Sequence, residues 1–257
     1  MPVGRGTIFY VLTFRFIKSK NLPIKECIIL AGGLGTRLRS EVGDLPKCMA
    51  PVAGKPFLHW VVAHLTAQKI TSFVLSLGYM HQTIEEYIQS NHSQLQVKFS
   101  VENEPLGTGG AIKLALSKCE EENVLVANGD TLFETNNNEL WEEHLKNDSA
   151  CTLALKPMQH FERYGAVTIN GSKIITAFTE KKYMEEGLIN GGVYLINRNS
   201  FNQLNLPQKF SFEKDFLEKY LHTLTIIGVQ DNGYFIDIGI PEDFKKANEE
   251  IKLKYDA

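Results

Sequence analysis

From Glu26 onward, short apolar runs alternate with amphipathic stretches, and this alternation restricts the chain to a layered α/β fold. Strands are expected at 27–30, 73–77, 97–101, 123–127 and 151–156. Helices are expected at about 56–69, 83–91, 109–118 and 138–146. Strands separated by helices pair in parallel through right-handed crossovers. The second half is richer in strand signals, at 166–169, 174–179, 192–197 and 224–228, with helices at 212–220 and 241–254. In open α/β sheets ligands sit beyond the carboxyl ends of the strands, so the loops there hold the informative residues.

The first such loop is Cys27-Ile-Ile-Leu-Ala-Gly-Gly-Leu-Gly-Thr-Arg-Leu-Arg39, followed by Pro46-Lys47. Glycines at a strand exit let backbone N–H groups approach a ligand and form an anion-binding concavity. Arg37 adds a planar fork suited to phosphate oxygens, and Lys47 a mobile point charge. The spacing matches neither G-x-x-x-x-G-K-[ST] nor G-x-G-x-x-G, and no acidic residue follows the 73–77 strand to hold a ribose. Taken alone, the loop fits an ordinary strand-to-helix turn equally well.

Three further segments narrow the reading. Asn128-Gly129-Asp130 places a carboxylate at a strand terminus on the same side as the glycine loop, and Tyr234-Phe-Ile-Asp237-Ile-Gly239 supplies a second. Two carboxylates beside phosphates suit Mg²⁺, which prefers oxygen ligands and keeps waters and substrate phosphates as partners. Either aspartate alone would serve equally as a turn cap. Glu102-x-x-Pro-Leu-Gly107-Thr108-Gly-Gly110 opens a helix whose glycines allow close approach to a flat base, and Glu102 matches the paired N–H donors of guanine without being diagnostic for them. Glu180-Lys181 ends another strand, either as a solvated pair or as ligands of a second substrate framed by Tyr164-Gly165 and Asn190-Gly191-Gly192.

These segments, in this order, resemble the sugar-phosphate nucleotidyltransferases, and the resemblance runs from about Ile24 to the C-terminus. More narrowly, Phe161-Glu-Arg-Tyr-Gly165, Gly187-Leu-Ile-Asn-Gly-Gly192, Lys209-Phe-Ser-Phe-Glu213 and the Tyr234–Gly239 segment look like those of D-glycero-α-D-manno-heptose 1-phosphate guanylyltransferases. The resemblance implies a Rossmann-like three-layer α/β/α sandwich with a mixed, mostly parallel sheet, of the nucleotide-diphospho-sugar transferase type. It implies Arg37, Lys47 and Asp130 as catalytic residues, with Mg²⁺ held by Asp130 and Asp237. It assigns Leu30, Ala31, Gly32, Gly33, Gly35, Thr36, Glu102, Gly107 and Thr108 to the nucleotide, and Gly165, Glu180, Lys181 and Asn190 to the sugar phosphate. Cys48 departs from the family pattern, where many relatives have Pro, and is expected to loosen its loop.

The partners so implied are a nucleoside triphosphate and a sugar 1-phosphate, with a homo-oligomer compatible. Mannose-1-phosphate guanylyltransferase, N-acetylmuramate-1-phosphate uridylyltransferase and a non-catalytic nucleotide-sugar-binding relative are the competing functions. A net charge of −3 argues against nucleic acid. The 7–17 run is too short for a membrane span and is broken by Arg15. Residues 1–24 read as a poorly ordered extension ahead of a catalytic domain at 25–257. Cys27, Cys48, Cys119 and Cys151 lack metal or redox spacing, which fits reduced thiols and a cytoplasmic location.

Overall fold

The computed structural model describes residues 24–33 and 38–255. A central sheet runs in the order β10-β9-β11-β6-β1-β4-β5, with β8 on the other edge of β11 and β12 beside β8. Its first half is β1 (Glu26–Leu30), β4 (Ser72–Leu77), β5 (Gln96–Val101) and β6 (Asn123–Asn128), all parallel. Its second half is β8 (Cys151–Phe161), β9 (Ala166–Ile169), β10 (Ile175–Thr179), β11 (Met184–Asn197) and β12 (Ile226–Gln230). Here β11 runs antiparallel to β6, β8 and β9, so the sheet is mixed. Two short pairs stand apart: β2 (Pro51–Val52) with β3 (Lys55–Pro56), and β7 (Thr131–Phe133) with β13 (Phe235–Asp237).

Alternation along the strands feeds two apolar layers. Ile29, Leu75 and Leu125 face α2 (Phe57–Ala67), α3 (His81–Asn91), α5 (Asn137–Lys146) and α7 (Pro241–Tyr255). Ile28, Val74 and Val126 face α4 (Gly107–Leu116), α6 (Arg198–Asn202) and a π-helical segment, Phe212–Glu218. A single helical turn, α1 (Arg39–Val42), follows the glycine loop. Helices on both faces of one mixed sheet make the three-layer sandwich that the resemblance implies.

The domain edge differs from expectation at one residue. Ile24, placed at the end of the extension, is buried with the core; residues 1–23 lie outside the described residues. Glu26 beside it is a buried carboxylate whose Oε2 accepts from the backbone N–H groups of Glu120 and Glu121, at 2.8 and 3.0 Å. It ties the first strand to the connection entering β6. Glu26→Ala is expected to cost about 2 kcal/mol, the scale of charge-assisted hydrogen bonds, as a lower urea midpoint with an unchanged m-value.

Candidate active site

Lys47 starts a 3₁₀ turn, Lys47–Met49, closed by Met49 N–H donating to Pro46 O and Ala50 N–H to Lys47 O, at 2.8 and 3.1 Å. Cys48 and Met49 point into the core. The turn is therefore fastened rather than loosened at Cys48, whose thiol burial pushes up to about 12. Lys47 extends in the opposite sense. Its Nζ donates to Asp130 Oδ2 at 2.6 Å and lies 3.4 Å from Asp237 Oδ1.

The two carboxylates meet because of backbone pairing. Asp130 follows β6, while Asp237 ends β13, and the β7–β13 ladder sets Asp237 opposite Thr131. Ile238 N–H donates to Asp130 O at 3.1 Å, and Gly239 N–H to Asp237 Oδ1 at 2.7 Å. The side chains of Lys47, Asp130 and Asp237 are 15%, 35% and 26% exposed, so the triad is shielded yet reachable.

Lys47 and Asp237 line a cavity of about 700 Å³. Gly165, Glu180, Lys181 and Asn190, predicted for the second substrate, all line it. Glu180 and Lys181 sit exposed at its rim. Asn190 is engaged at both ends of its amide: Nδ2 donates to the Tyr194 hydroxyl at 2.9 Å, and Oδ1 accepts from Gly192 N–H at 3.0 Å. It thereby fixes the bend where β11 passes from β9 to β6. Gly192 has φ +73°, and a Cβ there would lie 2.5 Å from Asn128 Nδ2, so glycine is required at this bend. Tyr164 rests edge-on against Phe235. Burial, aided by the Asp237 carboxylate, pushes its hydroxyl well above the usual range and keeps it a neutral donor.

Several of the residues expected at the nucleotide gather beyond β1, β4 and β5. Leu30 O accepts from Gly129 N–H, and Ala31 N–H donates to Ser76 O, at 2.9 and 2.8 Å. Gly32 lies against Gly78: a Cβ would stand 3.1 Å from Gly78 N and 3.5 Å from Glu102 Oε1. Gly33 is exposed. Glu102 Oε2 accepts from Leu106 N–H at 2.8 Å. Burial raises the Glu102 carboxyl above its ordinary range, partly opposed by that N–H. Gly35, Thr36 and Arg37 lie outside the described residues.

Thr108, expected at the nucleotide, has its hydroxyl engaged: Oγ1 accepts from Phe212 N–H and donates to Glu213 Oε2, both at 2.9 Å, which ties the start of α4 to the π-helical segment. Gly107, at φ +73°, leaves a would-be Cβ 2.6 Å from Phe210 O, so its glycine serves the same junction. Asn128 and Glu213 also line the cavity without having been assigned a role from sequence. Each stands inside a quoted motif, so the signal was their position beside assigned residues.

Among the described residues no cluster of three or more His, Cys, Asp or Glu side chains is arranged to hold a metal. The protein contributes Asp130 and Asp237, a pair of hard oxygen donors that share Lys47 Nζ as a neighbour. That donor set fits a Mg²⁺ ion completed by substrate phosphates and water. Among the same residues, no helix is long and apolar enough to cross a membrane.

The chain is 51% identical over 227 residues to D-glycero-alpha-D-manno-heptose 1-phosphate guanylyltransferase of Aneurinibacillus thermoaerophilus, covering 88% of this chain and 98% of the relative. The enzyme of the same name from Campylobacter jejuni is 43% identical, over 85% and 96%. The crystal structure of HddC from Yersinia pseudotuberculosis complexed with GMP-PN superposes with a TM-score of 0.80 at 40% identity, covering 89% of this chain and all of that one. Residues 26–254 match the Nucleotidyl transferase model, and the chain belongs to that family.

Proposed function

We propose that this enzyme transfers GMP from GTP to D-glycero-α-D-manno-heptose 1-phosphate, releasing pyrophosphate and forming a GDP-sugar. The observation that carries the reaction is the position of Lys47 Nζ between Asp130 and Asp237, in the lining of a cavity that Lys181 also lines. The sugar and base follow from similarity to two relatives whose lengths the chain matches almost fully.

An oxygen of the sugar phosphate attacks the α-phosphorus in line, one P–O bond forms, and the bond to pyrophosphate breaks. The attacking oxygen is already anionic, so no side chain need act as nucleophile or base. Catalysis is then positioning and charge compensation. Lys47 bridges the α-phosphate and the incoming phosphate, and Lys181 anchors the latter from the rim. Arg37, in the glycine loop, holds the β- and γ-phosphates. Asp130 and Asp237 would hold Mg²⁺, which supplies Lewis-acid neutralisation of the phosphate oxygens.

A pyrophosphate-release screen of the four nucleoside triphosphates against a panel of sugar 1-phosphates tests the reading. GTP with the heptose 1-phosphate should turn over fastest. No turnover with that pair, alongside turnover with another, overturns the assignment.

In this reading Glu102 accepts from guanine's N1 and N2 donors. Glu102→Gln is expected to lower kcat/KM for GTP by roughly 10- to 100-fold, the range for losing one charged hydrogen bond. The KM for sugar phosphate should stay within about twofold, by the same measure of an untouched contact. An equal loss with all triphosphates would place Glu102 outside base recognition.

A further inference from the structure

The cavity is lined by charges of both signs, and Lys214 stands among the carboxylates of the Phe212–Glu218 segment. Lys47 and Lys181 are the cations that the transferase reading gives to phosphate. Glu213 and Glu218, on the π-helical segment, also line the cavity, and like charge disfavours their contact with that phosphate. Their natural partners are hydroxyl donors.

The π winding presents them. Residues five apart are joined by its hydrogen bonding, so Glu213 and Glu218 share the cavity side while Phe212, Phe216 and Leu217 are buried. Glu213 is also held rigidly. Its Oε2 accepts from Thr108 Oγ1 at 2.9 Å and from Ser211 Oγ at 3.0 Å. Ser211 is in turn fixed: its Oγ accepts from Lys214 N–H, and its N–H donates to Asp215 Oδ2, at 3.2 and 2.8 Å. Glu213 Oε1 has no hydrogen-bond donor among the described residues. One oxygen is thus tied down and the other keeps its acceptor capacity on a residue that lines the cavity, the arrangement a preorganised ligand contact needs.

We propose that Glu213 determines acceptor specificity, its Oε1 accepting hydrogen bonds from sugar hydroxyls of the bound sugar 1-phosphate. The clamp through Thr108 joins this residue to the start of α4, which the same reading sets beside the nucleotide, since Gly109 N–H also donates to Phe210 O and Phe210 N–H to Leu106 O, both at 3.0 Å. The proposal rests on the transferase reading above.

The test is steady-state kinetics of Glu213→Gln and Glu213→Ala with full-length protein, varying GTP and sugar 1-phosphate separately. Glu213→Ala should raise the acceptor KM by roughly 10- to 100-fold, with Glu213→Gln intermediate and the GTP KM within about twofold. Against a panel of monodeoxy sugar 1-phosphates, one compound should lose as much with wild type as Glu213→Ala loses with the parent sugar. That compound should lose nothing further in the variant. Parallel increases in both KM values, or a full additional loss with every deoxy sugar, would reduce Glu213 to a structural support and overturn the proposal. A wild-type enzyme that takes another sugar 1-phosphate overturns the heptose assignment alone, and the Glu213 comparison is then read with that acceptor.

Discussion

Lys47→Ala is expected to lower kcat by roughly 10²- to 10³-fold, the scale for removing one preorganised electrostatic group at a reacting centre. The loss should fall on kcat and kcat/KM together, because the contact to the transferring phosphate strengthens as charge builds in the transition state. Folding should survive. The turn that carries Lys47 is closed by backbone hydrogen bonds, and its core contacts come from Cys48 and Met49. What remains is two facing carboxylates without their shared cation, a modest cost in a partly solvated site. Lys47→Arg should rescue little, since a planar guanidinium does not reproduce a compact ammonium seated between two oxygens. The measurement is initial-rate pyrophosphate release together with a thermal melt. Near-normal turnover by Lys47→Ala would remove Lys47 from the chemistry.

The parallel half of the fold was open to sequence reading because its signals are local. β1, β4 and β6 are apolar runs buried on both faces, and the helices between them keep a clear period. β11 was read only from 192 onward. Its earlier half contains Glu185, Glu186, Gly187 and Gly191, which carry no strand signal; it is extended because β8 and β9 pair with it on either side. The same limit applies at the site. Lys47 and Asp130 stand out as charges beside proline or glycine, and Asp237 as a lone carboxylate between two isoleucines. Thr108 and Glu213 are joined only through folding, across 105 positions, and neither local context reveals the other. The π winding of 212–218 was equally invisible, since Phe212 and Phe216 also suit an ordinary helix face.

The second large effect concerns the carboxylate pair. Asp130→Asn and Asp237→Asn are each expected to lower kcat/KM by about 10²-fold, the low end for losing an electrostatic contact to a transferring phosphoryl group. Asparagine preserves the shape and can keep the local hydrogen bond, so Gly239 N–H retains an acceptor at position 237. Charge is what changes. If both side chains act on one ion, the two losses will not multiply: the double variant should fall at most about tenfold below the weaker single variant, the mark of residues working as a unit. Each single variant should also need a higher Mg²⁺ concentration for half-maximal rate, and chelation followed by Mg²⁺ should silence and restore the wild type. Lys47 supplies an internal control, because it touches both carboxylates directly. Its alanine variant should lose rate without the same rise in Mg²⁺ requirement, since removing a cation from beside the pair strengthens their field toward a metal. Fully multiplicative losses, with an unchanged Mg²⁺ requirement in the Asn variants, would mean that the two aspartates orient Lys47 separately and share no ion.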